Sequence, residues 1–493
     1  MGFKLSLLWT APEVNPLNGK ARSIPMLNPI DRYGRTFFFS WFGFLVAFLS
    51  WYAFPPLLTR TIREDLRMSQ NEVANSNIMA LTGTLVIRLI AGPLCDKVGP
   101  RYVFVGCLMG GAIPTALAGT VTTPAGIVVL RFFIGILGAS FVPCQVWSTA
   151  FFDKNVVGTA NALAGGFGNS GGGITYFVMP AIFDSLVNDQ NLTPHVAWRV
   201  SFIVPFIIIT AVALGILFMC EDCPAGVWAN RHQILDNIVA VPSSPTSILA
   251  KTGPAGEHTY ASEPDQEAAN TRSAIEKAEH EVVVAPTVKE GLAVLFSLQT
   301  LSLAAQYACS FGGELAINSI IGSMYLKNFP HLGQTGSGRW AAMFGLLNVF
   351  FRPMGGIVAD VVYKYTAGSV GAKKAWTVFC GVAMGGFELA IGLRNARQEA
   401  TMFSLVAGLA VFMDAANGAN FAVVPHVHPF ANGIVSGLVG AAGNLGGIIF
   451  AIVFRYNGKN YARVIWIIGV VSIGVNVAVA WIRPVPRRQI GGQ

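Results

Sequence analysis

Arg88-Leu-Ile-Ala-Gly92-Pro-Leu-Cys-Asp96 and Arg352-Pro-Met-Gly-Gly356-Ile-Val-Ala-Asp360 carry one pattern twice: an arginine, a glycine four residues on, and an aspartate four beyond that. Each stretch closes an apolar run long enough to cross a bilayer. Two helical turns separate the arginine from the end of the run, which places the charge about 12 Å deep at 1.5 Å rise per residue. An arginine inside a membrane helix costs roughly 2.5 to 3.5 kcal/mol on insertion scales. A chain that bears this cost twice, at matching places, needs the charge.

The composition agrees with a membrane setting. Of 493 residues, 53% are hydrophobic and 12% charged, and the mean hydropathy is +0.55. Soluble domains carry about a quarter charged residues, so this is a polytopic membrane protein. Its 54 glycines suit a helical bundle in lipid, where small residues let backbones approach. The net charge of +8 does not indicate nucleic acid, because Lys and Arg gather in short loops between apolar runs and so orient the chain in a membrane. The seven cysteines are odd in number and fall mostly in apolar segments. Cys220 and Cys223 have no second pair or histidine cluster near them, which argues against a disulfide or a metal site. No cleavable signal peptide is visible: residues 1–35 are polar, carry Lys20, Arg22, Arg32 and Arg35, and read as a cytosolic segment.

Apolar runs fall at about 36–58, 76–95, 102–122, 125–151, 158–184 and 198–219, then at 293–325, 338–362, 374–393, 400–424, 432–455 and 461–482. The expected fold is an all-α membrane protein with twelve transmembrane helices in two six-helix halves, 36–221 and 293–482. Residues 222–292, rich in Pro, Ser, Ala, Glu and Lys, read as a cytosolic, mostly disordered central loop. A short charged helix over Ala268–Glu281 is the one element suggested there, and 483–493 reads as a cytosolic tail. Lys97, Arg101, Lys154, Lys364, Lys373, Lys374, Arg483, Arg487 and Arg488 all fall on one side, which puts both termini inside. Arg60, Arg63, Arg67, Arg394 and Arg397 lie on the other side, the first three offset by Glu64 and Asp65. Asn191-Leu-Thr193 is a glycosylation sequon on that outer side, weakened by Pro194.

The two halves are related. Arg88 and Arg352 are 264 residues apart, while the segments Gly165-Gly-Phe-Gly-Asn169-Ser-Gly-Gly-Gly173 and Gly440-Ala-Ala-Gly-Asn444-Leu-Gly-Gly447 are offset by 275. The longer Tyr363–Lys374 loop absorbs the difference. Repeated halves with a substrate site between them are a common transporter plan. Guanidinium is planar, always charged and offers parallel N–H donors to a planar oxyanion. No acidic residue stands three or four positions from either arginine, so anion binding is the leading reading. An ion pair with Glu314, Glu388 or Asp414 from another helix is the alternative. Thr84 and Asn348 each stand one turn before an arginine and offer a neutral hydrogen bond or a packing contact. The glycine segments lack the preceding strand and the Lys-Ser/Thr of a phosphate loop. They read as thin helix faces that expose Asn169 and Asn444, with an interhelical hydrogen bond as the simpler role.

Gly92-Pro-Leu-Cys-Asp96-Lys-Val-Gly99-Pro-Arg101 resembles the loop signature of the major facilitator superfamily, which implies a gate role for Asp96, Arg101 and, by repeat, Asp360. The two Asn-Gly-Gly segments resemble the nitrate signatures of its nitrate/nitrite porter family. The arginines of the second and eighth spans match that family's substrate-binding pair. The central loop and Phe141-Val-Pro-Cys-Gln-Val-Trp147 look like the fungal high-affinity nitrate transporters. Ile448 departs from the second signature, where a third glycine is expected. The resemblance implies nitrate, and nitrite beside it, held by the arginines between aromatic rings, with Phe48, Phe141 and Tyr307 at the matching positions.

It further implies import across the plasma membrane by proton symport, with alternating access, no cofactor and a monomer in the lipid bilayer. The carrier of the proton stays open among Glu314, Asp414 and Glu388. Three other readings remain: nitrate/nitrite exchange, transport of another anion such as phosphate or an organic carboxylate, and an anion sensor that signals through the central loop. An enzyme is not expected, because no nucleophile–base pair or metal-ligand cluster occurs and Pro425-His-Val-His428-Pro offers only two histidines.

Overall fold

The chain folds as an all-helical bundle. The computed structural model describes residues 5–16, 18–58, 61–230 and 287–486, and no strand forms among them beyond isolated bridges. Long apolar helices follow one another as α1 Arg32–Leu58, α2 Asn71–Val98, α3 Pro100–Thr120, α4 Pro124–Phe151 and α6 Pro194–Met219. Between α4 and α6 lies α5, Val157–Asn188, 32 residues long and holding the first glycine segment. The second half repeats the order as α7 Leu298–Asn328, α8 Gly336–Tyr365, α9 Val370–Arg394, α10 Glu399–His426, α11 Pro429–Asn457 and α12 Tyr461–Ala480. Each expected span thus has a helix. Ten pass as membrane-crossing by length and apolarity, and α7 does so together with Val288–Leu295, from which it is bent by 53°. Large apolar side chains such as Phe218 and Phe350 are 78% and 69% exposed, as expected for a surface solvated by lipid tails.

Local chemistry sets the breaks. Ser69 begins α2 with a capping box: its hydroxyl accepts from the Glu72 N–H while the Glu72 carboxylate accepts from the Ser69 N–H. That cap starts the helix several residues before the expected 76. Ser297 caps α7 by accepting from Thr300 N–H, which splits the single run expected over 293–325. In α4 the segment Gly135–Ser140 tightens into 3-10 helix between two α-helical pieces, a local change of pitch that often marks a working part of a helix.

The halves meet along α2–α11 and α5–α8. At the α2–α11 crossing a side chain on Gly433 would stand 2.4 Å from the Gly92 carbonyl oxygen and 2.6 Å from Asp96 Oδ1. Only glycine permits that approach.

Three expected polar segments are partly structured. The N-terminal stretch, read as a tail over 1–35, docks by Ala21: its N–H donates to Phe151 O at 2.9 Å and its carbonyl accepts from Asp153 N–H at 3.0 Å. The central loop, read as linker over 222–292, begins with a turn in which Trp228 Nε1 donates to Asp96 O at 3.0 Å and ends in the helix Val288–Leu295. The rest of that loop, including Ala268–Glu281, and the tail from 487 lie outside the described residues. Lys373 and Lys374, counted as loop charges, are buried in the first turns of α9.

Candidate functional site

Arg88 and Arg352 reach the same place from opposite halves. Their side chains are 0% and 1% exposed, and both guanidiniums lie over the same two rings. Arg88 Cζ is 5.1 Å from the Phe141 centroid and 5.5 Å from that of Phe311. Arg352 Cζ is 5.3 and 5.8 Å from the same rings. Phe141, Tyr307 and Phe311 form a parallel series: Phe141 and Tyr307 are inclined by 8° at 6.3 Å, and Tyr307 and Phe311 by 12° at 5.1 Å. Phe421 stands edge-on to Phe141 and Tyr307. Ring faces are negative and attract cations, so this aromatic wall holds two like charges near one another without a carboxylate between them.

The arginines differ in how many donors the protein uses. Arg88 Nε and Nη2 donate to the Gly138 carbonyl at 3.0 and 2.8 Å, and Nη1 donates to the Gly440 carbonyl at 2.8 Å. The 3-10 segment of α4 supplies the first acceptor. The second acceptor belongs to the glycine segment of the opposite half. Arg352 Nη2 donates to the Tyr307 hydroxyl at 2.8 Å, while its Nη1 is buried without a hydrogen-bond partner. Its own glycine neighbour is Gly165, where a Cβ would lie 2.8 Å from Arg352 Nε. Each glycine segment therefore approaches the arginine of the other half. Among the described residues no carboxylate forms an ion pair with either guanidinium, so the expected ion-pair alternative is not realised as a direct contact.

The remaining expected residues divide. Phe141 and Tyr307 stand in the site. Asn444 donates to Gly440 O at 3.0 Å, the carbonyl that Arg88 also uses, and so sits beside the site within its own helix. Asn169 Nδ2 donates over 3.5 Å to Asn348 Oδ1, one turn before Arg352. Thr84 lies behind the site, its Oγ1 within hydrogen-bond distance of the Ala80 and Gly135 carbonyls at 3.0 and 2.7 Å. Phe48 reaches the aromatic wall through Phe44: it is 4.4 Å from Phe44, which is 5.3 Å from Phe141. Phe311 and Phe421 join the site from outside the set that the motifs single out. Phe311 follows Tyr307 by four residues and shares its helix face, a signal that was available; Phe421 offered none.

The two aspartates act across the halves in a matched way. Asp96, at the end of α2, accepts from the N–H groups of Gly433 and Ile434 at 2.9 and 3.0 Å, capping the start of α11. Asp360, at the equivalent end of α8, accepts from Thr159 N–H and Oγ1 at 2.6 and 2.8 Å at the start of α5. A carboxylate at a helix N-terminus is stabilised by the free N–H groups and the dipole. Lys373 adds a bond to Asp360 Oδ1 at 2.8 Å and lies 3.0 Å from His426 Nε2. Asp360, which has no basic run after it in sequence, thereby gains a cation from α9. Arg101 stays inside the first half, 2.6 Å from Asp222 Oδ1 and bonded to the Cys220 carbonyl, so it braces the end of α6 rather than joining the halves. At the other end of the bundle Arg455 donates to Asn75 Oδ1 at 2.9 Å, from α11 to α2. With ties at both ends and both guanidiniums buried, the site is closed.

Comparison with known proteins places this chain in a family. A profile described as Major Facilitator Superfamily matches residues 40–451. The chain is 37% identical over 99% of its length, and all of the relative's, to Elsinochrome transporter 1 of Elsinoe fawcettii. It is 30% identical to High affinity nitrate transporter 2.5 of Arabidopsis thaliana over 94% of this chain and 82% of that one. Nitrate transporter 2.2 of Chlamydomonas reinhardtii is 30% identical over the same shares. Among solved structures, the proton:xylose symporter XylE aligns with a TM-score of 0.60 at 12% identity, covering 91% of this chain and 95% of that one. At that identity the likeness concerns the fold alone.

Proposed function

Because the chain belongs to the Major Facilitator Superfamily and resembles nitrate transporters over most of its length, we propose that it is a secondary active transporter that imports nitrate, and nitrite beside it. The observation that carries the reading is the pair of buried guanidiniums over one aromatic wall, with Arg352 Nη1 left without a partner. A small planar monovalent anion fits that arrangement. It takes two parallel N–H donors and offsets part of the repulsion between two like charges, while its flat shape suits the slot beside the rings. Arg88, Arg352, Tyr307 and Phe141 are its contacts; Asn169 and Asn444 shape the two sides, and Thr84 and Phe48 support them.

The transport cycle follows from the ties between the halves. The end bearing Asp96 and Asp360 is taken as cytosolic, with both termini on that side and the plasma membrane as the site of action. Anion binding favours the closed state, because it stabilises two charges that otherwise repel. Breaking the aspartate caps then opens the site inward. A ligand drives such a change only through its different affinity for the two states. Import against a negative-inside potential costs about 2.3 kcal/mol per charge per 100 mV, which makes proton symport the working mechanism and nitrate/nitrite exchange its rival.

The relation to the elsinochrome transporter supports a second reading, in which the cargo is a larger organic compound. The closed, fully buried site favours the small anion. Counterflow of labelled nitrate in proteoliposomes separates the two: nitrate and nitrite are expected to compete, and elsinochrome, chloride and phosphate are not. Movement of elsinochrome with no movement of nitrate would falsify the proposal.

A further inference from the structure

A second buried charge cluster bonds Asn348, one helical turn before Arg352, and lies outside the groups assigned as contacts of the anion. Glu314 on α7 accepts from Asn348 Nδ2 at 2.8 Å through Oε1 and from Asn417 Nδ2 at 2.7 Å through Oε2. Asn348 belongs to α8 and also accepts from Asn169 of the opposite half, while Asn417 belongs to α10. Three residues before Asn417, and so on its helix face, Asp414 is 1% exposed and its Oδ2 is buried without a hydrogen-bond partner. The two carboxyls interact electrostatically with each other and with Arg352. The other titratable groups facing them are Tyr52 of α1 and Tyr307 of α7 toward Glu314, and Glu388 of α9, whose Oε1 is 3.3 Å from where a side chain on Gly313 would begin.

Two carboxylates buried together resist ionising at the same time. Their charge also matters to the anion. With both ionised, they cancel the two guanidiniums and leave no net attraction for a monovalent anion. Each proton taken up restores one positive charge. Anion and proton then promote each other's binding, and linkage requires the effect to be reciprocal. The amide chain Glu314–Asn348–Asn169 gives this coupling a mechanical arm, since neutralising Glu314 weakens the acceptor that orients Asn348 beside Arg352 and across the interface.

We propose that Glu314 and Asp414 are the proton-coupling site: a carboxylate binds one proton from the side where nitrate enters, and the carboxylic acid releases it where nitrate leaves. This rests on the reading of the chain as a nitrate importer. Glu388 is the competing group. It is fully buried, but it packs against Gly313 and Gly469 inside the second half alone, away from the interface whose opening must change a carrier's exposure.

The test uses the full chain in proteoliposomes with two readouts, counterflow of labelled nitrate and its accumulation under an inward proton gradient of about one pH unit. One unit corresponds to tenfold accumulation for each proton moved with an anion. Wild type and Glu388→Gln are expected to accumulate nitrate. Glu314→Gln and Asp414→Asn lose accumulation yet still exchange nitrate, and Glu314→Asp, which keeps a titratable carboxyl, recovers part of it. Gradient-driven accumulation at the wild-type level in both Glu314→Gln and Asp414→Asn overturns the assignment, as does its loss in Glu388→Gln alone. Loss of counterflow as well in both variants, with the protein monodisperse, also overturns it by placing the pair in anion binding. Wild-type counterflow that ignores the gradient refutes the coupling site and leaves the nitrate reading standing; absence of wild-type counterflow refutes both.

Discussion

Replacing Arg352 with lysine preserves the charge and removes the fork, so it asks whether geometry or charge holds the anion. In the folded protein Arg352 donates to Tyr307 through Nη2 and keeps Nη1 unpartnered. A lysine has one nitrogen at the end of a flexible stem and cannot give the anion two parallel N–H bonds while also holding the tyrosine hydroxyl. The loss is at least one hydrogen bond to a charged group, about 1.5 to 3 kcal/mol. That is about 10- to 150-fold in affinity. The half-saturating nitrate concentration in proteoliposome counterflow should rise by this factor, with the amount and thermal stability of incorporated protein unchanged. Arg88→Lys should behave differently. Arg88 uses three N–H bonds to join the Gly138 and Gly440 carbonyls, and lysine leaves part of that buried acceptor set unpaired, so stability falls together with affinity. A half-saturation point for Arg352→Lys within about threefold of wild type, under about 0.7 kcal/mol, refutes the fork. Equal losses of stability in the two variants refute the division of labour between the arginines.

Two further outcomes test the frame around the site. Gly433→Ala places a methyl 2.4 Å from the Gly92 carbonyl and 2.6 Å from Asp96 Oδ1, an overpacking that costs about 1 to 3 kcal/mol. It should spread the ends of α2 and α11, seen as a longer distance between spin labels placed there; an unchanged distance distribution counts against the closed gate. At the far end Asp65, outside the spans, accepts from His195 Nδ1 at 2.7 Å, Trp198 Nε1 at 3.0 Å and Arg199 Nη1 at 2.8 Å. Burial pushes its carboxyl up, but the bonds from Arg199, His195 and Trp198 outweigh it and hold the group below its ordinary value. A depressed folded value means stabilisation that is complete above the unfolded carboxylate value of about 3.9 and lost as pH falls through the folded one. Asp65→Asn should therefore melt earlier than wild type at neutral pH, and that gap should narrow as pH falls below the unfolded carboxylate value of about 3.9; a gap of constant size contradicts the linkage.

What the sequence made legible was whatever the repeat wrote twice. Arg88 with Arg352 and Asp96 with Asp360 recur at matched positions, and both pairs reach across to the opposite half. What stayed hidden depends on backbone detail or on a third helix. Nothing in the letters Gly135-Ile-Leu-Gly138 says that α4 tightens there and turns a carbonyl toward Arg88. Lys373 reads as a loop charge because the apolar run in the sequence begins after it, whereas α9 starts at Val370 and buries it against Asp360. Asn348 and Thr84 looked equivalent by repeat position. In the fold Thr84 is spent on carbonyls of its own half, whereas Asn348 meets a carboxylate.

That last difference bears most directly on mechanism. Two symmetric halves, each with an arginine held by backbone carbonyls, make an anion site that is indifferent to protons. Here the symmetry fails on one side only. Around Arg88 the hydrogen-bond acceptors are the Gly138 and Gly440 carbonyls, and the titratable groups that interact with it are Tyr307, Tyr52 and Cys107, with no carboxylate among them. Around Arg352 they include Tyr307, Glu314 and Asp414, and the amides of Asn348 and Asn417 hold Glu314 in place. One half therefore supplies a fixed positive charge. The other supplies a charge whose effective size depends on whether its carboxylates carry protons. An exchanger needs only the first kind of half, and a symporter needs one of each. The placement of Glu314 and Asp414 beside Arg352 is thus the observation on which the symport proposal rests, and it is a feature that the matched motifs by themselves conceal.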